Sequence, residues 1–103
     1  NLARAWYNLG VLLHDTWRLE EAESTLWQAL SLLGKDEDSD FLSALIRTQA
    51  VTLQNAGKHV KAREFLREAA GHFPQLEAAC AGIADVALPS PKVTDSPRLA
   101  VIR

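Results

Sequence analysis

The sequence predicts an all-α chain in which two similar helix pairs stack on each other. Apolar residues recur at spacings of three and four along most of the chain, which is the period of an amphipathic helix. Matching residue types return at an offset of 40 along the sequence, which indicates an internal repeat. The helical pattern stops before residue 89, because three of the four prolines lie in residues 89–103 and proline interrupts helices.

The first helix pair begins with a predicted helix over Leu2–Asp15. Its apolar stripe consists of Leu2, Ala5, Trp6, Leu9, Leu12 and Leu13. Gly10 lies within this stripe, and because an interior glycine costs about 1 kcal/mol relative to alanine, we expect another helix to approach it closely. After a turn at residues 16–18, the second helix is predicted over Leu19–Leu33, with Gly34 as its end. The inner stripe of this helix consists of Ala22, Leu26, Ala29, Leu30 and Leu33.

The second helix pair begins after a short acidic segment. Its first helix is predicted over Asp40–Ala56, with Asp38 or Ser39 as the N-cap and Gly57 just past its end. The inner stripe consists of Phe41, Leu45, Ile46, Ala50, Leu53 and Ala56. The next helix is predicted over His59–His72, and its inner residues are Ala62, Leu66, Ala69 and Ala70.

An alanine-rich fifth helix follows Pro74 and is predicted over Gln75–Leu88. Its inner face consists of Ala79, Cys80, Ile83, Ala84 and Ala87. No partner helix follows it, so we expect it to cover the open end of the stack, as terminal units of repeat arrays do. Residues 89–103 are predicted to be an extended or disordered tail, with one apolar run at Leu99–Ile102.

The two helix pairs match residue for residue at an offset of 40. The matched positions are Trp6 and Ile46, Gly10 and Ala50, Leu13 and Leu53, Ala22 and Ala62, Leu26 and Leu66, and Ala29 and Ala69. The pattern W-x-x-L-G-x-x-L at Trp6–Leu13, followed by A-x-x-x-L-x-x-A at Ala22–Ala29, resembles the tetratricopeptide repeat. The second copy has the same order, and the resemblance covers about residues 3–74.

The period of 40 differs from the usual tetratricopeptide period of 34 and also suits HEAT or armadillo repeats. The offset of 12 from Gly10 to Ala22 favours the tetratricopeptide unit, and the chain resembles its long-helix variety. The resemblance implies a right-handed α-α superhelix, or α-solenoid. Its parts would be a first repeat over residues 1–34, a second over 35–74, a capping helix over 75–88 and the tail over 89–103.

The resemblance implies a non-catalytic protein–protein interaction module. The first helices of stacked pairs would line a concave groove that binds a peptide or helix of a partner. The groove would be lined by Arg4, Tyr7, Val11, His14 and Asp15, by Ala44, Arg47, Val51, Gln54 and Asn55, and by Ala78, Ala81 and Asp85. We expect the peptide contacts to come from Arg4, Tyr7, Val11, His14, Arg47, Val51, Gln54 and Asn55. Arg4 and Arg47 would pair with a carboxylate, and Tyr7 would offer a flat apolar contact.

Charge and composition disfavour several other classes. The net charge of −2 and the pI of about 5.9 disfavour a nucleic-acid partner. The single cysteine, Cys80, excludes an internal disulfide and a cysteine-rich metal site, and it is compatible with a reducing compartment such as the cytoplasm. His14, His59 and His72 have no carboxylate or cysteine at ligand spacing, so no metal or cofactor is expected. No apolar run approaches the roughly 20 residues of a membrane span, so no membrane insertion is expected.

Several residues keep two interpretations. Trp6 is expected in the core, whereas Trp17 and Trp27 are either exposed contacts or packing residues. Cys80 is more readily a small core residue than a nucleophile. The Ser-Pro pairs at 90–91 and 96–97 are either phosphorylation sites or ordinary tail sequence.

The alternative function is structural. In that interpretation the chain is a spacer or a self-association arm of a larger regulatory protein. Self-association would use open repeat ends or the C-terminal tail. Under the favoured interpretation the chain is a fragment of a larger scaffold or adaptor, and the pattern at its start, which opens inside a helix, favours a fragment in both cases.

Overall fold

The computed structural model describes residues 2–33 and 38–87, the side chains of 85–87 excepted. These residues form five α-helices, one 3-10 turn and no strand, which confirms the all-α prediction for this part of the chain. The helices are α1 (Leu2–Asp15), α2 (Leu19–Ser31), α3 (Ser39–Asn55), α4 (His59–His72) and α5 (Glu77–Ala87), with the 3-10 turn at Pro74–Leu76.

The helix limits follow the sequence pattern closely. The limits of α1 and α4 are those that were predicted, whereas α2 ends at Ser31 instead of Leu33. Asp38 is the N-cap of α3, and its carboxylate accepts a hydrogen bond from the backbone N–H of Asp40 at 3.0 Å. The fifth helix starts at Glu77 rather than Gln75, because Pro74 begins a 3-10 turn before it.

Some predicted features lie outside the described residues. These are the helix end at Gly34, the last predicted residue of the fifth helix at Leu88, the inward side chain of Ala87, and the tail over residues 89–103 with its Ser-Pro pairs and its apolar run. They remain predictions.

The connections within the two helix pairs have the same hydrogen bonds, at an offset of 40 along the sequence. The bonds are Trp17 N to His14 O (3.0 Å) and Arg18 N to Leu13 O (2.9 Å) in the first connection, and Gly57 N to Gln54 O (3.0 Å) and Lys58 N to Leu53 O (2.9 Å) in the second. This pattern is a Schellman motif, which ends a helix through a residue with positive φ. The two connections are therefore equivalent in backbone structure.

The residue with positive φ is Trp17 in the first motif and Gly57 in the second, with φ values of 63° and 83°. A left-handed conformation costs a residue with a Cβ about 1–2 kcal/mol, and glycine avoids that cost. Trp17 is 71% exposed and so has few packing contacts to lose.

We expect Trp17→Gly to raise the free energy of unfolding by about 1 kcal/mol, because it removes this strain. Gly57→Ala is the matched reciprocal variant, because open space surrounds the added methyl group and only the backbone strain is introduced. It should lower the free energy of unfolding by about 1 kcal/mol. Urea denaturation followed by circular dichroism measures both, and two changes of the same sign would contradict the explanation.

Each helix packs against its neighbours in sequence, and α3 also contacts both α1 and α5. One buried cluster joins α1, α2 and α3 through Ala3, Leu26, Ala29, Phe41 and Leu45. A second cluster joins α3, α4, the 3-10 turn and α5, and includes Leu42, Ile46, Leu53, Leu66, Leu76 and Ile83. Since α3 contributes to both clusters, it is the central helix of the described structure.

The close approach predicted at Gly10 is confirmed. A Cβ atom at Gly10 would lie 2.6 Å from Cδ2 and 2.7 Å from Cγ of Leu26, whose side chain is fully buried. The small residues Ala22 and Ala29 of α2 are also fully buried. The contact between α1 and α2 therefore depends on small residues in both helices.

The predicted apolar stripe of α1 is only partly correct. Leu13 is buried and Trp6 is half-buried, but Leu2, Ala5, Leu9 and Leu12 are exposed. The other buried residues of α1 are Ala3 and Gly10. The difference arises because, among the described helices, α2 and α3 pack against α1 and cover one side of it.

The inner stripes of the other helices are largely confirmed, with additions. In α3, Leu42, Gln49 and Thr52 are buried besides the predicted residues, because this helix is covered from several sides. In α4, Phe65 is buried although it was not predicted, and Ala70 is half-buried. In α5, Cys80 and Ile83 are buried as predicted, and Ala79 and Ala84 are half-buried.

Candidate functional site

The predicted site residues lie mainly on α1 and α3, which run side by side in the same direction. Near the beginnings of both helices, Arg4 Nη2 lies 4.0 Å from Asp38 Oδ2. Near their ends, Asn55 Nδ2 lies 3.2 Å from His14 Nε2. The parallel arrangement places the predicted residues of both helices along one surface, which we call the α1–α3 surface.

At the beginning of this surface, Arg4 and Tyr7 both contact Phe41. The guanidinium carbon of Arg4 lies 4.2 Å from the centre of the Phe41 ring, which is a cation–π contact. The Tyr7 ring meets the same ring edge-on, with centroids 5.5 Å apart at an angle of 87°. Sequence reasoning placed Phe41 in the core, but its role in positioning two predicted site residues depends on tertiary contacts.

At the other end, His14 lies between two polar partners. Its Nε2 lies 3.2 Å from Nδ2 of Asn55, and its Nδ1 lies 3.4 Å from Oδ1 of Asp15. The predicted residues His14, Asp15 and Asn55 therefore form one small polar group.

The middle of the surface combines half-buried apolar residues with polar groups. Val11 and Val51 are half-buried, and Arg47 is exposed and forms no ion pair within the described residues. The Oε1 atom of Gln54 is enclosed, yet no donor in residues 2–33 or 38–87 reaches it. Gln49 Oε1 is enclosed without a donor in the same way, and neither oxygen has surface that a bound group could reach in this side-chain conformation.

The remaining groove residues add little to this surface. Ala44 is half-buried, Ala78 and Ala81 of α5 are exposed, and the side chain of Asp85 lies outside the description. These alanines offer no polar group. The polar side chains of the predicted groove that the structure describes therefore lie on α1 and α3.

The structure bears on the two interpretations that the sequence left open for Trp17, for Trp27 and for Cys80. Trp17 is exposed in the α1–α2 connection, and Trp27 is exposed on α2 while its ring meets Phe65 edge-on at 5.5 Å. Cys80 is buried, and burial raises the pKa of its thiol, which disfavours the reactive thiolate.

No group of three His, Cys, Asp or Glu side chains among residues 2–33 and 38–84 is arranged to hold a metal ion. No helix in the described ranges is long and apolar enough to cross a membrane.

A cleft of about 740 Å³ lies between α2 and α4, and sequence reasoning did not predict it. It is lined mainly by apolar side chains of these helices and of the residues just after them, including Trp27, Leu30, Leu33, Phe65, Ala69 and Phe73. Trp27 and Phe65 lie outside the predicted inner stripes of their helices. The cleft forms only when α2 and α4 are placed side by side.

No protein-family model, curated protein or solved structure matches this chain.

Proposed function

We propose that this chain is a non-catalytic protein–protein interaction module of the tetratricopeptide type. The two helix pairs and α5 form a right-handed superhelical array, and the chain serves within a scaffold or adaptor. Two observations support the repeat: the hydrogen bonds of the two Schellman motifs match at an offset of 40, and the equivalent helices α1 and α3 are parallel. The α1–α3 surface binds an extended peptide or a helix that carries a carboxylate.

The observation that carries this proposal is Arg47, in the middle of the α1–α3 surface. It offers an exposed guanidinium without an ion-pair partner in the described chain. A peptide carboxylate supplies that partner, since carboxylates accept hydrogen bonds from arginine. Val11 and Val51 supply half-buried apolar surface on the same two helices.

Arg4 is a weaker candidate for carboxylate recognition than Arg47. Its side chain is half-exposed and already lies near Asp38 while it covers the Phe41 ring. A bound carboxylate would therefore compete with Asp38. We assign the main charged contact to Arg47.

Selection of peptides from a random display library on the full chain tests this function. We expect the selected peptides to be enriched in Asp and Glu, and we expect Arg47→Ala to weaken their binding by about three- to tenfold. The loss should shrink as ionic strength rises, because salt screens an exposed charged contact. Fluorescence anisotropy with labelled peptides measures the affinity.

Arg67→Ala is the matched control, because Arg67 is an exposed arginine on α4, away from the α1–α3 surface. It should leave binding unchanged. Peptides that bind Arg47→Ala and the unaltered chain equally well would show that this surface is not the binding site.

A further inference from the structure

The exposed side of α1 carries a regular apolar stripe. Leu2, Leu9 and Leu12 are 64%, 43% and 59% exposed, and Ala5 lies between them at a spacing of three and four. We call these four residues the α1 stripe. With about 100° of rotation per residue, it lies roughly opposite Val11 and Tyr7 and therefore does not belong to the α1–α3 surface.

The equivalent positions in the second helix pair show that a helix can cover such a face. The residues 40 positions later are Leu42, Leu45, Gln49 and Thr52, and each is 0% exposed. Helix α2 packs on them: Leu45 shares a cluster with Leu26 and Ala29, and Gln49 Nε2 donates to the carbonyl oxygen of Glu23 at 3.3 Å. The same face that is open on α1 is thus covered by a helix on α3.

The direction of the covering helix follows from these contacts. Gln49, in the second half of α3, meets Glu23, in the first half of α2, while only seven residues connect the end of α2 at Ser31 to the start of α3 at Ser39. Helix α2 therefore runs antiparallel to α3. A helix that covered α1 in the same way would run antiparallel to α1.

A charged contact accompanies this packing. Lys58, which precedes α4, places Nζ 2.8 Å from Glu23 Oε1 of the covering helix, and the Glu23 side chain is largely buried. The hydrogen bond and the charge of Glu23 raise the pKa of Lys58. The counterpart of Lys58 in the first pair is Arg18, which precedes α2 in the same motif.

Arg18 has no covering helix within the described chain and instead pairs with Glu21, which lies one helical turn later. Its Nε and Nη2 lie 2.7 and 2.8 Å from the two carboxylate oxygens, and both side chains are more than half exposed. An exposed pair of this kind contributes little to stability. Arg18 can therefore exchange Glu21 for a carboxylate on a helix that covers α1.

We propose that the α1 stripe binds an amphipathic helix of a partner polypeptide. This helix runs antiparallel to α1, presents a stripe of leucine and alanine as α2 does, and carries a carboxylate that pairs with Arg18. In a second copy of this chain the corresponding stripe of α2 is already packed against α3, so it is not free to bind. The inference rests on the internal repeat and does not require that the α1–α3 surface binds peptide.

A labelled synthetic peptide of residues 19–33 tests the proposal against the full chain, because it contains both the α2 stripe and Glu23. An isolated helix of this length is marginal in water, so binding will be weak and accompanied by a gain of helical circular dichroism. We expect saturable binding, weakened more than tenfold by Leu9→Asp combined with Leu12→Asp. The matched control is Val60→Asp, because Val60 is 69% exposed on α4 and lies outside the stripe.

A charge exchange tests the alignment of the helix. Arg18→Glu should weaken binding of the peptide several-fold, and a peptide with Glu23→Lys should regain that loss on the Arg18→Glu chain. Binding that does not change with this charge exchange would indicate nonspecific apolar association and would overturn the assigned alignment of the helix. Circular dichroism of each variant verifies that the chain itself remains folded.

Three results would overturn the proposal. The first is the lack of saturation up to about 1 mM peptide. The second is binding that the two leucine substitutions leave unchanged, which would mean that the peptide displaces the chain's own α2. The third is a sedimentation coefficient of the chain alone that rises with concentration and loses this dependence in the Leu9→Asp, Leu12→Asp variant. That result would identify a second copy as the occupant.

Discussion

Replacing Phe41 with alanine is expected to lower the free energy of unfolding by about 3–5 kcal/mol. The Phe41 side chain is almost completely buried, in a cluster with Ala3, Leu26 and Leu45, and a large cavity would form between α1 and α3. Small domains have a total stability of only about 5–15 kcal/mol, so this variant would be unfolded in part at moderate urea concentrations. Urea denaturation followed by circular dichroism measures the loss.

Phe41→Leu separates packing from the aromatic contacts. It retains most of the buried volume and should cost less than about 1.5 kcal/mol, but Arg4 and Tyr7 lose the ring that they contact. Peptides that bind the α1–α3 surface should then bind less tightly while the chain remains folded. Leu12→Ala is the control on stability, since Leu12 is exposed and its change should stay within about 0.5 kcal/mol. Equal losses for Phe41→Ala and Leu12→Ala would contradict the assigned packing.

Substitution of Gly10 is expected to have the next largest effect. A Cβ atom there would lie 2.6 Å from Leu26 Cδ2, so Gly10→Ala forces α1 away from α2 or moves a fully buried side chain. Overpacking costs about 1–3 kcal/mol, and the better helix propensity of alanine returns about 1 kcal/mol. The net loss should be up to about 2 kcal/mol, and Gly10→Leu should lose about 3 kcal/mol. Thermal and urea unfolding measure both variants.

Gly82 supplies the matched control, because it lies within α5 and no atom surrounds the position of its missing Cβ. Gly82→Ala should therefore stabilise the chain by up to about 1 kcal/mol. A combination of Gly10→Ala with Leu26→Ala should cost less than the sum of the two single changes, since the second removes the atoms that clash. Stabilisation by Gly10→Ala comparable to that by Gly82→Ala would show that the helices do not touch at this point.

Local sequence signals were sufficient to locate the helices. The limits of α1 and α4 and the helix end before Gly57 were predicted, and the N-cap of α3 was narrowed to Asp38 or Ser39, because each depends on residues within one or two helical turns. Trp17 was placed in a turn, but its positive φ was not predicted. Only the equivalence with Gly57 in the folded chain explains why tryptophan adopts that conformation.

The candidate site stays a prediction as a set of residues, and its arrangement was not predicted. The tetratricopeptide resemblance selected Arg4, Tyr7 and Arg47, yet the sequence did not indicate that Phe41 contacts the first two. The cleft between α2 and α4 was missed for the same reason, since Trp27 and Phe65 come together across two helices. Such contacts depend on how helices are rotated against each other, which periodicity alone does not determine.

The sequence by itself determined that the chain is helical, where most helices begin and end, and that two helix pairs repeat with a period of 40. Helix periodicity and capping are local properties, so they can be predicted from the sequence. The tertiary structure decided which apolar residues are buried. Leu9 and its counterpart Gln49 show this most clearly, because the leucine is exposed and the glutamine is fully buried. A neighbouring helix covers one position and not the other, and in this pair that coverage overrides the polarity of the side chain.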